Sequence, residues 1–396
     1  MADLPTVAEA QQLVLGRVRP LPVERIPVAE AAGRCLAAAA CARTDLPPFA
    51  SSAMDGYAVR VADLPGTLPV GFRIAAGVPS LRPLEPGEVM AISTGGVVPE
   101  GCDAVVPIEQ VVESGDTVTF DRVPAPQANI RDRGGDLRDG DEVVPAGVRL
   151  TPARLGALAA AGIGEVAVHR RPRVAILTTG TELVSPGSPL GPGQVYEANG
   201  TILAAQAVAA GCEVVRLPAV ADNEAAHRAS IEQGLAYDVL VTSGGVSVGP
   251  HDLVRRVEAD LGVEEVFWRV AVRPGKPVAF GVRGETLVFG LPGNPVSSLV
   301  SFELFVRPAL LALQGFSQPL PCFEPGRLAR SLRRGPRDEL VRARIRPAEA
   351  ALLIEPLTGQ ESHMIARSAE ADALVWVPSG EGELPAGSTA GFYRLP

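Results

Sequence analysis

The chain has 396 residues, 46% hydrophobic and 20% charged, and its 36 basic and 45 acidic side chains leave a formal net charge of −9. That length suits two to three domains, and the balance excludes wholesale disorder and argues against a general nucleic-acid binder, which would be basic. No run reaches the roughly 18 apolar residues of a membrane span. The start of the chain lacks a basic stretch followed by an apolar one, and five scattered cysteines with no CxxC suit a reducing compartment, so a cytoplasmic location is expected.

Residues 6–17 carry a short helical pattern behind Thr6, whose hydroxyl can accept from the first free amides. A second helix is expected over 28–37, and Pro47-Pro48 bars its continuation. From 50 to about 148, short apolar runs at 70–75, 88–92, 104–107 and 117–120 alternate with Gly and Pro, the pattern of an all-β segment with tight turns. Thr151-Pro152 opens a helix that Gly162 closes. From 172 the pattern changes. Strands are expected at 174–177, 213–217 and 238–241, with helices at 199–210, at 223–235 and from about 252, an alternation that builds a parallel α/β sheet. Strands near 280 and 287–289 precede a long helix over 294–314, with Asn294 as cap and Pro295 in the first turn. After Pro319-Leu320-Pro321 the pattern is β again. The expected fold is multidomain α/β plus β. An extended N-terminal domain takes 1–46 and 140–170, an inserted β domain 47–139, a parallel α/β domain 171–317 and a small C-terminal β domain 318–396.

In an open α/β sheet, ligands bind at the carboxyl ends of the strands. Those ends carry Thr178-Thr179-Gly180-Thr181-Glu182, Ala221-Asp222-Asn223, Thr242-Ser243-Gly244-Gly245-Val246-Ser247-Val248-Gly249 and Leu291-Pro292-Gly293-Asn294-Pro295. Glycine lets backbone N–H groups approach a ligand, and such groups at a helix start favour phosphate or another oxyanion. Glu182, Asp222 and Asp252 are hard oxygen donors for one divalent cation, most simply magnesium bridging phosphate oxygens. Each loop alone is equally an ordinary turn; four on one sheet edge point to a site.

Of the 36 basic residues, 35 are arginine and one is Lys276, and there are four asparagines, Asn129, Asn199, Asn223 and Asn294. A GC-rich coding bias accounts for both, which makes a retained lysine informative, because Lys is a compact point charge and Arg a planar fork. Lys276 lies in Arg273-Pro274-Gly275-Lys276-Pro277, a stiff loop whose two cations suit a tetrahedral oxyanion or a phosphate. The alternative is a solvated turn with two surface charges. By themselves, Asp55-Gly56 and Ser93-Thr94-Gly95-Gly96 are turns, and 129–136 is a charged, solvated loop. The four histidines show no ligand spacing, so a histidine metal centre is not expected.

Pro47-Pro48-Phe49, Ser52-Ala53-Met54-Asp55-Gly56-Tyr57-Ala58, Gly180-Thr181-Glu182-Leu183, the Ser243–Gly249 run, Pro274-Gly275-Lys276-Pro277, Gly290-Leu291-Pro292-Gly293-Asn294-Pro295-Val296-Ser297 and Gly359-Gln360-Glu361-Ser362-His363-Met364 occur in one order along the chain. Together they resemble the molybdopterin molybdenumtransferase family, whose fold also forms the C-terminal part of gephyrin. The resemblance implies a molybdopterin-binding α/β domain, a C-terminal β barrel and an elongated homodimer. Each cleft would lie between the α/β domain of one subunit and the β domain of the other. It implies adenylylated molybdopterin and molybdate as substrates, magnesium as the metal, and molybdenum cofactor and AMP as products. By the same resemblance, Gly180, Thr181, Ser243, Gly244, Gly245, Ser247, Pro292, Gly293, Asn294, Pro295 and Ser297 bind the pterin and its phosphates, joined by Ser52 and Asp136. Asp55, Thr94, Glu182, Asp222, Asp252 and Lys276 fall on catalytic positions. Glu182, Asp222 and Asp252 are the carboxylates for magnesium. Arg273, Lys276, Arg342 and Ser362 fall on the molybdate positions, where Arg273 replaces the family's usual lysine. The implied partners are an upstream molybdopterin adenylyltransferase and downstream molybdoenzyme maturation proteins. An adenylyltransferase would need only the α/β domain, and a scaffold with vestigial chemistry would have no use for these carboxylates and Lys276.

Overall fold

The computed structural model of the protein describes residues 4–220, 223–245, 253–348 and 352–395. The first helix, Val7–Leu15, is closed by a capping box: Glu9 N–H donates to the Thr6 hydroxyl at 3.2 Å and Thr6 N–H donates to the Glu9 carboxylate at 2.8 Å. Its buried side chains Val7, Ala10 and Val14 enter the core of the α/β domain, so this part of residues 1–46 docks there. No helix forms over 28–37. Only the turn Val28–Glu30 is helical, because Gly33 takes a positive φ of 75° and Leu36 bridges to Val168.

Val23–Pro27 pairs antiparallel with Glu165–His169, and Ala40–Cys41 with Glu142–Val144. The chain leaves this unit at Leu46 and returns at Leu137, two residues that bridge each other. Between them lies a six-stranded sheet in the order Ala104–Pro107, Gly56–Val59, Val89–Ile92, Gly66–Ile74, Thr117–Phe120, Val112–Ser114. Its pleat sends Tyr57 and Val59 to one core and Ala58 to another.

The α/β sheet has the order Glu213–Arg216, Arg173–Thr178, Val239–Ser243, Thr286–Leu291, Ala279–Arg283, Glu264–Trp268. The first four strands are parallel and Ala279–Arg283 alone runs against them, antiparallel to both its neighbours, where strand–helix alternation alone gives a wholly parallel sheet. The connection length is the reason: Gly284 and Glu285 alone separate Arg283 from Thr286, and a link that short joins only antiparallel strands. Val174 and Ile176 face the core under the long helix, and Ala175 and Leu177 face the opposite core.

That long helix comprises Pro295–Ser301, the π turn Phe302–Val306 and Arg307–Leu313. Pro308 has no N–H to offer the Leu304 carbonyl, and Gln11 Nε2 of the first helix donates to it instead at 3.0 Å. Among the described residues this is the one helix long and apolar enough to cross a membrane, and it lies mostly buried in the core. Beyond it, Asp338–Pro347, Leu352–Pro356, Glu324–Leu328, Thr389–Arg394 and Ala373–Val377 close into a five-stranded barrel, since the last pairs back with the first. Val272 and Arg273 of the α/β domain add in parallel to Asp338 and Glu339 of this barrel.

Candidate functional site

Thr178, Ser243 and Leu291 stand in register across three parallel strands, so their loops leave the sheet at one level. From Arg173–Thr178 the chain moves first to Glu213–Arg216 on one side and then to Val239–Ser243 on the other. That reversal opens a crevice between Arg173–Thr178 and Val239–Ser243, the binding place of doubly wound sheets. Gly244 floors it at φ 97°; a Cβ there would lie 2.6 Å from the Thr179 carbonyl oxygen. Gly245 is also left-handed, at φ 68°. The Glu182 carboxylate folds back over Gly180, where a Cβ would lie 2.6 Å from Oε2, and both Thr181 and Glu182 are exposed. Ser247, Asp222 and Asp252 lie outside the described residues.

Two residues not singled out from the sequence tie these loops together. Asn199 Nδ2 donates to Ser243 Oγ at 2.9 Å and to the Gly293 carbonyl at 2.7 Å. Ser298 Oγ donates to the Pro292 carbonyl at 2.5 Å and lies 3.1 Å from Ser243 Oγ. Ser243 is therefore a buried clamp between loops. Gly293 and Asn294 are exposed on the rim, and Pro295 and the buried Ser297 form the first turn of the long helix.

The cationic loop rests against that same helix. Gly275, at φ 107°, approaches so closely that a Cβ would stand 2.6 Å from Ser301 Oγ. Arg273 and Lys276 are exposed from this loop, and Arg273 Nε is 3.6 Å from Glu339 Oε1. A loop of the barrel closes the third side. Ser362 accepts at its carbonyl from Val296 N–H at 3.1 Å. Asn294 makes no capping bond with its side chain; Nδ2 donates to Ser362 Oγ at 3.0 Å.

Arg342 differs from its expected place as an oxyanion ligand. It is 1% exposed. Its guanidinium donates to the carbonyls of Met364 at 2.7 Å and Gly359 at 2.5 Å and to Ser368 Oγ at 2.8 Å. Burial lowers its pKa from the usual arginine value, and Glu361 opposes that shift. Arg342 thus shapes the loop that carries Ser362.

In the inserted domain the sequence-distant Asp55 and Thr94 meet: Thr94 N–H donates to Asp55 Oδ1 at 2.8 Å. Ser52 is buried beneath them, its hydroxyl donating to the Met54 carbonyl at 2.6 Å while its backbone bonds Gly95 and Gly96. Asp136 is exposed, anchored by its N–H to the Leu46 carbonyl at 2.9 Å. Among the described residues, no hydrogen bond or ion pair joins this cluster to the crevice.

Three family models match in chain order: the MoeA N-terminal region (domain I and II) over residues 5–162, a probable molybdopterin binding domain over 175–312, and the MoeA C-terminal region (domain IV) over 325–395. A molybdopterin molybdenumtransferase of Mycobacterium tuberculosis is 36% identical over 98% of this chain and 99% of its own. The chain belongs to the molybdopterin molybdenumtransferase family, a family of transferases. The molybdopterin molybdenumtransferase of Haemophilus influenzae is 42% identical over 76% of this chain and 75% of its own. The crystal structure of a molybdopterin biosynthesis protein from Pyrococcus horikoshii superposes with a TM-score of 0.84, at 25% identity, over 99% of this chain and 100% of that one.

Among the described residues, no three His, Cys, Asp or Glu side chains gather as a metal site. Of the three carboxylates assigned to magnesium, the structure describes Glu182 alone, at the crevice rim.

Proposed function

We propose that this protein inserts molybdenum, delivered as molybdate, into adenylylated molybdopterin, with magnesium-dependent release of AMP, to give molybdenum cofactor. The observation that carries this reading is the convergence of three parts on one helix segment, Pro295–Ser301: the glycine-floored crevice and the Ser362 loop at its start and the Arg273–Lys276 loop along its side. Backbone N–H groups at the crevice suit the phosphates of the pterin. The two loop cations suit a dianionic oxyanion, which Ser362 and Asn294 would orient. Magnesium takes hard oxygen donors of the kind Glu182 supplies, and when bound it neutralises charge as the phosphoanhydride opens. Asp55 and Thr94 act on the same substrate across a homodimer, each cleft formed between the α/β domain of one subunit and the inserted domain of the other. The work is done in the cytoplasm, between a molybdopterin adenylyltransferase upstream and molybdoenzyme maturation proteins downstream.

The test is molybdate-dependent AMP release from adenylylated molybdopterin with magnesium, for the natural protein and Lys276→Arg. Activity in the first and its loss in the second supports both the reading and a demand for lysine at 276. Equal activity removes the special role of Lys276. ATP consumption would instead mark an adenylyltransferase, and neither activity a scaffold.

A further inference from the structure

The segment 327–346 holds eight arginines against two acidic residues, in a chain whose net charge is −9. Part of it lines a cavity of about 480 Å³ at the mouth of the C-terminal barrel, walled by Arg273, Arg333, Arg334 and Glu339 and floored by Val341 and Leu357. Arg334 is held in place by the carbonyls of Pro378 and Ser379, at 3.1 and 2.6 Å. Arg337 donates to the Val272 carbonyl at 3.0 Å, which ties the basic segment to the strand that carries Arg273. Among the described residues no ion pair holds Arg333 or Arg334, although Glu383 is the cross-strand neighbour of Arg333; Arg273 pairs with Glu339 at 3.6 Å, too long for a hydrogen bond.

We propose that this barrel mouth is a collecting site for tetrahedral oxyanions, from which Arg273 passes the ion to the loop beside the crevice. The inference rests on the molybdate reading above. Three cations and one carboxylate line the cavity, with Glu383 beside it across the strand pair from Arg333, so the local charge stays positive and attracts dianions that the rest of the acidic surface repels. The space is far larger than a bare oxyanion, so the ion enters with its water shell. The site therefore selects charge and raises the local concentration, and it leaves the choice between oxyanions to the inner loop. Arg273 is the common member: its backbone pairs with Glu339 and its side chain lines the cavity, while three residues on Lys276 belongs to the inner loop.

Arg333→Glu is the variant to make, because Arg333 is exposed. The expected result is a rise of about three- to tenfold in KM for molybdate, with kcat and KM for the adenylylated pterin unchanged. The salt dependence of the molybdate KM should flatten, sulfate should inhibit the variant less than the natural protein, and Arg333→Lys should restore natural values. An unchanged molybdate KM overturns the proposal. So does a rise in KM for the pterin, which would mean that the cavity takes the substrate's phosphate. Equilibrium dialysis of molybdate alone against the natural protein and Arg333→Glu decides the matter apart from turnover. Equal binding by both refutes the collecting site even if AMP release is normal. Absence of AMP release from the natural protein refutes the functional reading, whatever the dialysis gives.

Discussion

Gly244→Ala and Gly293→Ala separate what the crevice needs for folding from what it needs for binding. At Gly244 an added Cβ would stand 2.6 Å from the Thr179 carbonyl oxygen and 2.8 Å from Thr179 Oγ1, whereas ordinary contact begins at 3.4 Å. Backbone must move by about 0.8 Å, and it is held: Thr179 N–H bonds the Ser243 carbonyl at 3.0 Å and Gly244 N–H the Leu291 carbonyl at 3.1 Å. The φ of 97° adds the cost of a left-handed residue, about 1–2 kcal/mol, and forced overpacking adds about 1–3 kcal/mol. The α/β domain of Gly244→Ala should lose about 2–5 kcal/mol. At Gly293 the same Cβ meets only the Gly244 Cα, at 3.8 Å, an ordinary contact. Gly293→Ala should therefore keep natural stability within about 0.5 kcal/mol. Yet a methyl group on the rim stands where a ligand's phosphate would approach the backbone, so KM for the pterin should rise. Urea unfolding followed by far-UV circular dichroism, beside steady-state AMP release, reads both. Full stability in Gly244→Ala would refute the steric argument. An unchanged pterin KM in Gly293→Ala would refute close backbone approach at that rim.

Three further outcomes are expected. Asp238 is pushed up by burial but held below its usual 3.8 by the Arg170 fork and the Arg173 N–H, so its folded pKa is depressed. Its contribution to stability is present above the unfolded value and lost as pH falls through the folded one; urea midpoints measured downward from pH 5 should fall less steeply for Asp238→Asn than for the natural protein. Arg342→Met removes the charged donor that the Gly359 and Met364 carbonyls share, which costs about 2–4 kcal/mol, and amide exchange over 359–368 should quicken before the rest of the barrel. Asp55→Asn should lower kcat about a hundredfold or more with little change in thermal midpoint, because Asp55 is exposed and only Thr94 N–H leans on it.

Much of this organisation is legible in the chain. Thr6 and Thr151 mark helix starts, and period and Gly/Pro punctuation separate the β insertion from the α/β domain, because those signals act over a few neighbouring residues. What escapes such a reading depends on partners far along the chain. Gly33 and a bridge to Val168 replace the helix suggested by 28–37, and a two-residue link turns two strands antiparallel. The side chain of Asn294, which by its place before Pro295 should cap a helix, reaches to Ser362 across 68 positions. The scarcity that drew notice to Lys276 applies with equal force to asparagine. All four asparagines hold specific bonds: Asn129 Nδ2 to the Val105 carbonyl, Asn199 to Ser243 and Gly293, Asn223 as the cap of Glu224–Gly234, and Asn294 to Ser362. Asn129, Asn199 and Asn294 each offer an amide donor on a short stem, which Asp lacks and Gln supplies only from a longer one; Asn223 accepts as a helix cap, where Asp or Ser serves equally. Two of those three donors stand at the crevice, where the geometry calls for a short amide that the coding bias has left in place. Asn199→Asp tests this directly. Its carboxylate would face the Gly293 carbonyl without a proton to give, so it should loosen the Pro292–Asn294 turn and raise KM for the pterin while the helix Asn199–Ala209 remains folded.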